Sequence, residues 1–216
     1  MLRAEMLPEL REVLGDTVAP YAWSDAVLNG YLAEGQDVFC EKTGFFVDRT
    51  NYTITTVEGQ KSYPLDDRII RVLEVWDGTR RLSRFTENDR PSGSSVTPEN
   101  TDPQHWQTDA ETQALTLFEA PVAGVVLTLR VWRYSRVSMA DSPAVEPEIP
   151  TRFHRACVEY AAFKAYSHHD REREEKVKAS DHLAIFADYC THGRMAFLRI
   201  QGDETRVIPN PLYTFT

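Results

Sequence analysis

No run of apolar residues in the 216-residue sequence approaches the roughly eighteen that cross a bilayer, which excludes a helical membrane span. Basic charge is in short supply: 24 Lys+Arg stand against 33 Asp+Glu, a formal charge of −9. A protein that grips nucleic acid through phosphates needs clustered Lys and Arg, so that class is disfavoured. Cysteine is scarce. Cys40, Cys157 and Cys190 are odd in number and far apart, which excludes a fully paired disulfide framework and fits assembly in a reducing cytoplasm. The start, Met1-Leu2-Arg3-Ala4-Glu5-Met6, is amphipathic and carries an acid, unlike the basic start and apolar block of a signal peptide. There is no internal repeat, no G-x-S-x-G, no phosphate-cradling glycine loop and no dinucleotide fingerprint. Against these absences, 42% hydrophobic and 11% aromatic residues suffice for a real core, in one domain or a domain with an appendage.

The pattern along the chain predicts helices at both ends and strands between. Leu2, Met6, Leu10, Val13 and Leu14 recur at helical spacing before Gly15, and Pro8 predicts that this helix is short or starts late. Ser24 or Asp25 caps a second helix with Val27, Leu28, Tyr31, Leu32, Val38 and Phe39 on its apolar face, where Gly30 and Gly35 allow close backbone approach. After Gly44 the period changes to two. Strands are predicted at 52–57, 61–63, 69–76, 105–107, 114–118 and 125–134, with a hairpin at Asp77-Gly78 leading into Arg81-Leu82. Residues 86–104, including Pro91-Ser92-Gly93-Ser94-Ser95, read as a long surface loop. Proline and acid mark a linker at 138–150, after which Phe153, Cys157, Tyr160, Ala161, Lys164 and Ala165 form one helical stripe. A charged stretch from Arg171 opens a last helix through Ile185, Phe186 and Tyr189, with Gly193 as its expected stop.

The fold class expected is therefore α+β: a helical bundle built from N- and C-terminal helices, an inserted antiparallel β-module and an extended C-terminal tail. The boundaries are 1–47 and 138–195 for the bundle, 48–137 for the β-module and 196–216 for the tail. Phe39, Phe153, Tyr160, Ile185 and Phe186 should share one core, and Ile70, Val72, Leu127 and Leu129 another.

No constellation for catalysis, cofactor or metal emerges. His168-His169-Asp170, with His154, Cys157 and His182, is the best cluster, yet adjacent histidines on a helix point about 100° apart and no H-E-x-x-H or C-x-x-C accompanies them. Cys157 sits in an apolar stripe, Asp66-Asp67 reads as a turn, and Arg130, Arg133 and Arg136 read as a wet strand face or intersubunit salt bridges. A soluble enzyme or ligand-binding β-module stays the alternative class. The tail carries Leu198, Ile200, Val207, Ile208, Leu212, Tyr213 and Phe215 among prolines. Apolar side chains at an exposed terminus need a cover, so these seven residues are the expected docking arm.

Four segments in order resemble the head-to-tail adaptor (connector) proteins of tailed double-stranded DNA bacteriophages. They are Trp23-Ser24-Asp25 with Leu28, Tyr31 and Leu32; Gly59-Gln60-Lys61-Ser62-Tyr63-Pro64-Leu65-Asp66-Asp67; Ile70 to Gly78 with Leu82; and Glu148-Ile149-Pro150 with Phe153, Cys157, Tyr160-Ala161-Ala162 and Ala165-Tyr166. The second departs slightly, because Pro64 precedes Leu65 where the family more often has the reverse order. The resemblance implies a non-enzymatic virion protein without cofactor, made in the host cytoplasm and placed at the capsid–tail junction. It implies a homo-oligomeric ring, usually of twelve subunits, beneath the portal protein and above tail or head-closure proteins, with DNA passing through the lumen without specific binding. A head-closure or tail-terminator ring one layer further down is the nearest alternative. The portal is the first implied partner of the arm, and a neighbouring adaptor subunit the second.

Overall fold

The computed structural model describes residues 1–85, 102–109, 111–137, 139, 144–167 and 173–201. The chain divides into two compact units, residues 1–45 with 137–216 and residues 46–136.

The first unit is helical. Helix α1 spans Arg3–Leu14 and α2 spans Asp25–Thr43. A 3-10 turn over Thr151–Phe153 leads into α3, His154–Tyr166, and α4 runs Arg173–Gln201. Pro8 does not delay α1, but at twelve residues this is the shortest of the described α-helices. The helix begins at Arg3, where the Glu5 carboxylate accepts the Leu2 backbone N–H at 2.8 Å, and Met6 and Leu10 are wholly buried beyond it. A cap and two core anchors outweigh one missing backbone hydrogen bond. The Ser24 hydroxyl accepts the Val27 N–H to start α2, and Gly44, at φ +63°, ends it in the left-handed conformation.

Helix α3 is the hub of this unit: ten of its thirteen residues are buried, and it packs on α1, α2 and α4. Small residues make that possible. A Cβ on Gly35 would lie 3.2 Å from the Cys157 Cα and carbonyl oxygen and 3.1 Å from the Tyr160 Cβ, so α2 and α3 cross at backbone contact. Gly30 faces open space. Aromatic rings fill the rest, with Phe39 5.3 Å from Phe153 and Tyr160 5.1 Å from Phe186. Phe39, Phe153, Tyr160 and Phe186 are all buried, whereas Ile185, expected beside them, is 44% exposed. One residue on a helix is a 100° rotation, and Phe186 takes the inward place.

Gly193 does not stop α4. Its position sits against Phe39 and Thr43, where a Cβ would lie 2.6 Å from the Phe39 Cζ. The glycine serves close approach instead of termination, and the helix continues to Gln201. The first six residues of the expected extended arm, 196–201, are therefore helical.

The second unit is two sheets on one core. The strands are β1 Val47–Thr55, β2 Ser62–Pro64, β3 Ile69–Asp77, β4 Arg80–Arg81, β5 Ser83–Arg84, β6 His105–Asp109, β7 Ala114–Leu117 and β8 Val126–Arg133. One sheet has the order β1-β8-β3-β4 and the other β2-β7-β6-β5. All pairs are antiparallel except β5 with β6, a two-residue parallel pair that the sequence pattern does not reveal. Val72, Val75, Leu127, Leu129 and Val131 from the first sheet meet Tyr63, Trp106, Leu115 and Leu117 from the second. Ile70, expected in this core, is only half-buried. Gly78, at φ +56°, makes the tight β3–β4 hairpin expected at Asp77-Gly78.

Candidate functional site

Those of the residues suggesting chemistry that are described have structural surroundings. Cys40, Cys157 and Cys190 are all buried free thiols. Burial pushes the Cys157 thiol up and the Cys190 thiol to about 12, so neither supplies a thiolate at neutral pH. His154 is buried, with Nε2 2.8 Å from the Ile149 carbonyl oxygen, and burial holds its imidazole below the usual value. His182 places Nδ1 2.7 Å from the Glu159 carboxylate and stacks on Tyr166, tying α4 to α3. Glu159 also accepts the Arg155 Nε–H at 3.1 Å. His168, His169 and Asp170 lie outside the described residues. Among the described residues, no three His, Cys, Asp or Glu side chains gather where they could hold a metal, and no helix is long and apolar enough to cross a membrane. Ellman's reagent should therefore titrate no thiol in the native protein and three in guanidinium; prompt reaction of even one native thiol would contradict this packing.

The segments that carry the adaptor resemblance have specific jobs. In Glu148-Ile149-Pro150, the Glu148 N–H donates to the buried Gln36 side chain at 2.8 Å, Ile149 is buried, and the Pro150 carbonyl accepts the Phe153 N–H to open the turn before α3. Gln36 on α2 thus fixes where α3 begins. In Gly59 to Asp67, the Tyr63 hydroxyl donates to the Gln60 carbonyl at 2.7 Å and accepts the Val57 N–H at 3.1 Å, clamping the turn that Gly59, at φ +74°, permits. Asp66 then accepts the Arg68 N–H and leads into β3. Trp23-Ser24-Asp25 frames the start of α2: Arg11 donates to the Trp23 carbonyl, to Asp16 at 2.6 Å and to Asp25, while its guanidinium lies 3.9 Å from the Tyr21 ring centroid.

The polar hub of the β-unit is Asp48, which periodicity does not reveal. Between Asp48 and Tyr52 the register of β1 against β8 slips, and the buried Asp48 carboxylate fills the gap. It accepts the backbone N–H groups of Thr50 and Asn51 at 3.1 Å, the Asn51 amide, Arg133 at 3.2 Å and Arg136 at 2.5 Å. Burial alone would raise its pKa, but the Asn51 amide, the two backbone N–H groups and Arg136 lower it to about 2. Arg133 is not on the wet face, as its sequence neighbours suggest. It shares the inward parity of Leu127, Leu129 and Val131, and it is buried against Asp48. The Asp48 side chain, three residues before Asn51, is a turn signal that sequence reasoning could have used.

The outer face of the first sheet gathers aromatic and basic side chains in register. Arg71 lies opposite Trp132, Glu74 opposite Arg130, and the row Thr53–Thr128–Trp76–Arg81 crosses all four strands. Glu74 is 3.3 Å from Arg130 and 3.4 Å from Arg81 and accepts the Trp76 indole N–H at 3.1 Å. These partners hold its carboxyl below the usual range although burial opposes them.

Of the expected docking arm, Leu198 and Ile200 stand on the last turns of α4, Leu198 half-buried. Val207, Ile208, Leu212, Tyr213 and Phe215 lie outside the described residues, as do residues 86–101 of the polar loop.

No curated protein matches the chain. A family model described as SU10 adaptor protein matches residues 1–209, nearly the whole length, in agreement with the resemblance read from the four segments.

Proposed function

Because the chain belongs to the SU10 adaptor protein family, we propose that it is a structural virion protein that forms a ring at the head-to-tail junction of a tailed bacteriophage. The ring docks beneath the portal, extends the DNA channel and offers the platform for the tail. The family match over residues 1–209 is the observation that carries this reading. The role is mechanical and needs neither catalysis nor a cofactor. A subunit count of twelve is what the adaptor resemblance implies, and a head-to-tail contact repeated about one axis closes at a fixed number.

The electrostatics support a conduit. Phosphate-binding clusters would trap a translocating duplex, whereas a chain of formal charge −9 repels it and leaves it free to slide. The division into a helical and a β-rich unit gives each subunit two bodies through which a ring can be built. The apolar residues Val207, Ile208, Leu212, Tyr213 and Phe215 support an anchor onto the portal, by adding a strand to an exposed sheet edge or filling pockets beside one.

A reconstruction of purified particles tests the ring. Density for this chain in a ring against the portal is expected; a position one layer further down would make it a head-closure or tail-terminator protein instead. The arm has its own test. A chain truncated after Gln201, where α4 ends, should fold with unchanged circular dichroism yet be missing from particles. Truncated protein incorporated at normal occupancy would show that the anchor lies elsewhere.

A further inference from the structure

We propose that the outer face of the four-stranded sheet, built on Arg71, Arg81, Arg130, Trp76 and Trp132, is an assembly surface that receives the acidic α1–α2 region of a second copy of this chain. This rests on the ring-forming role proposed above and names the surface that such a ring would use.

Three observations on that face support it. First, its charge is opposite to the chain's. Arg81 and Arg130 pair with Glu74, and a third cation, Arg71, stands opposite Trp132, in a protein of formal charge −9. The acidity is concentrated elsewhere: residues 46–136 hold 13 Asp+Glu and 11 Lys+Arg, while residues 1–45 hold 8 and 3. Second, the composition is that of a contact. Tryptophan and arginine are enriched where proteins meet, and two of the four tryptophans stand half-buried on this one face. Thr53, Thr55 and Arg71 around them are exposed. Third, its polar groups are already fixed. Glu74 holds Arg130, Arg81 and the Trp76 indole, and the Arg71 guanidinium lies over Trp132 at 5.9 Å. Pre-set side chains lose little entropy on docking.

The same details argue for a protein partner over nucleic acid. A central carboxylate repels phosphate, and Arg71 already occupies the ring face on which a base would stack. The acidic helices of an identical subunit supply the matching charge. A contact between two different surfaces of identical chains is head-to-tail, the kind that generates rings.

The test places a photo-crosslinking residue at Thr53, which is exposed and in register with Trp76, in the full chain assembled into particles. Peptide mapping should find the crosslink on residues 1–45 of a second copy. Arg71→Glu combined with Arg81→Glu should lower its yield at least tenfold without changing the circular dichroism of the free chain. A crosslink to another protein or to DNA, or a yield unaffected by charge reversal, overturns the proposal. A chain missing from particles altogether would overturn the adaptor reading separately. The purified chain at high concentration then decides the surface alone, and a crosslink confined within one copy refutes it.

Discussion

Asp48→Ala should unfold the β-unit at temperatures the helical unit survives. The substitution leaves Arg133 buried without its carboxylate and removes the acceptor for two backbone N–H groups, a loss of about 3–5 kcal/mol. A unit of this size loses about 4–8 °C of Tm per kcal/mol, so the shift exceeds 10 °C. Three of the four tryptophans, Trp76, Trp106 and Trp132, report on this unit, while the signal at 222 nm follows the helices. Tryptophan fluorescence should therefore melt early with the 222 nm transition nearly unmoved; a joint shift of both would show that the two units unfold as one. The acid limb follows from the same carboxylate. Its folded pKa, about 2, is below the ordinary value of 3.8, so its contribution is complete above about pH 4 and lost as pH falls towards 2. At about 1.4 kcal/mol per pKa unit, this amounts to roughly 2 kcal/mol. Urea midpoints at pH 5 and pH 2.5 should separate more for the native protein than for Asp48→Asn.

Gly193→Val should destabilise the helical unit by about 3 kcal/mol. The new Cβ would lie 2.6 Å from the Phe39 Cζ and 3.0 Å from the Thr43 methyl. Phe39 is fully buried and held 5.3 Å from the Phe153 ring, so it has no room to retreat. Gly30→Ala is the control, because Gly30 also lies inside a helix but faces open space, and there the better helix former should stabilise by roughly 0.5–1 kcal/mol. Denaturation followed at 222 nm should move in opposite directions for the two variants. Movement in the same direction would mean that Gly193 is not a packing position.

That contrast shows what a sequence can disclose. Period-two alternation located the strands because burial on one side of a sheet writes itself at every second residue. The helical stripes at Leu28, Leu32, Phe39 and at Phe153, Cys157, Tyr160 were visible for the same reason. Gly193 misleads, since it has a local meaning as a breaker that tertiary packing overrides. Polarity alone points Arg133 to the wet face, whereas its parity with Leu127, Leu129 and Val131 points it inward. The reason it goes inward, Asp48, lies 85 residues away, and no local pattern connects them. The grouping of strands into two sheets was equally hidden, because pairing depends on partners distant in the chain. The family was legible because its four segments build the turn at Tyr63, the Gln36 contact and the Arg11 cluster, each of which needs particular residues.

The insertion of the β-unit between two halves of the helical unit sets an order of events at the ribosome. Residues 1–45 emerge first, but α3, on which α1 and α2 pack, comes only after residues 46–136 have been made. At about 5–20 residues per second, that is a wait on the order of 5–20 s. Throughout it, Leu28, Leu32 and Phe39 have no core to join, while the β-unit closes on itself as soon as β8 reaches β1. The eight acids and three bases of residues 1–45 then act as a solubilising coat, keeping neighbouring nascent chains apart by like charge until the partner helix arrives.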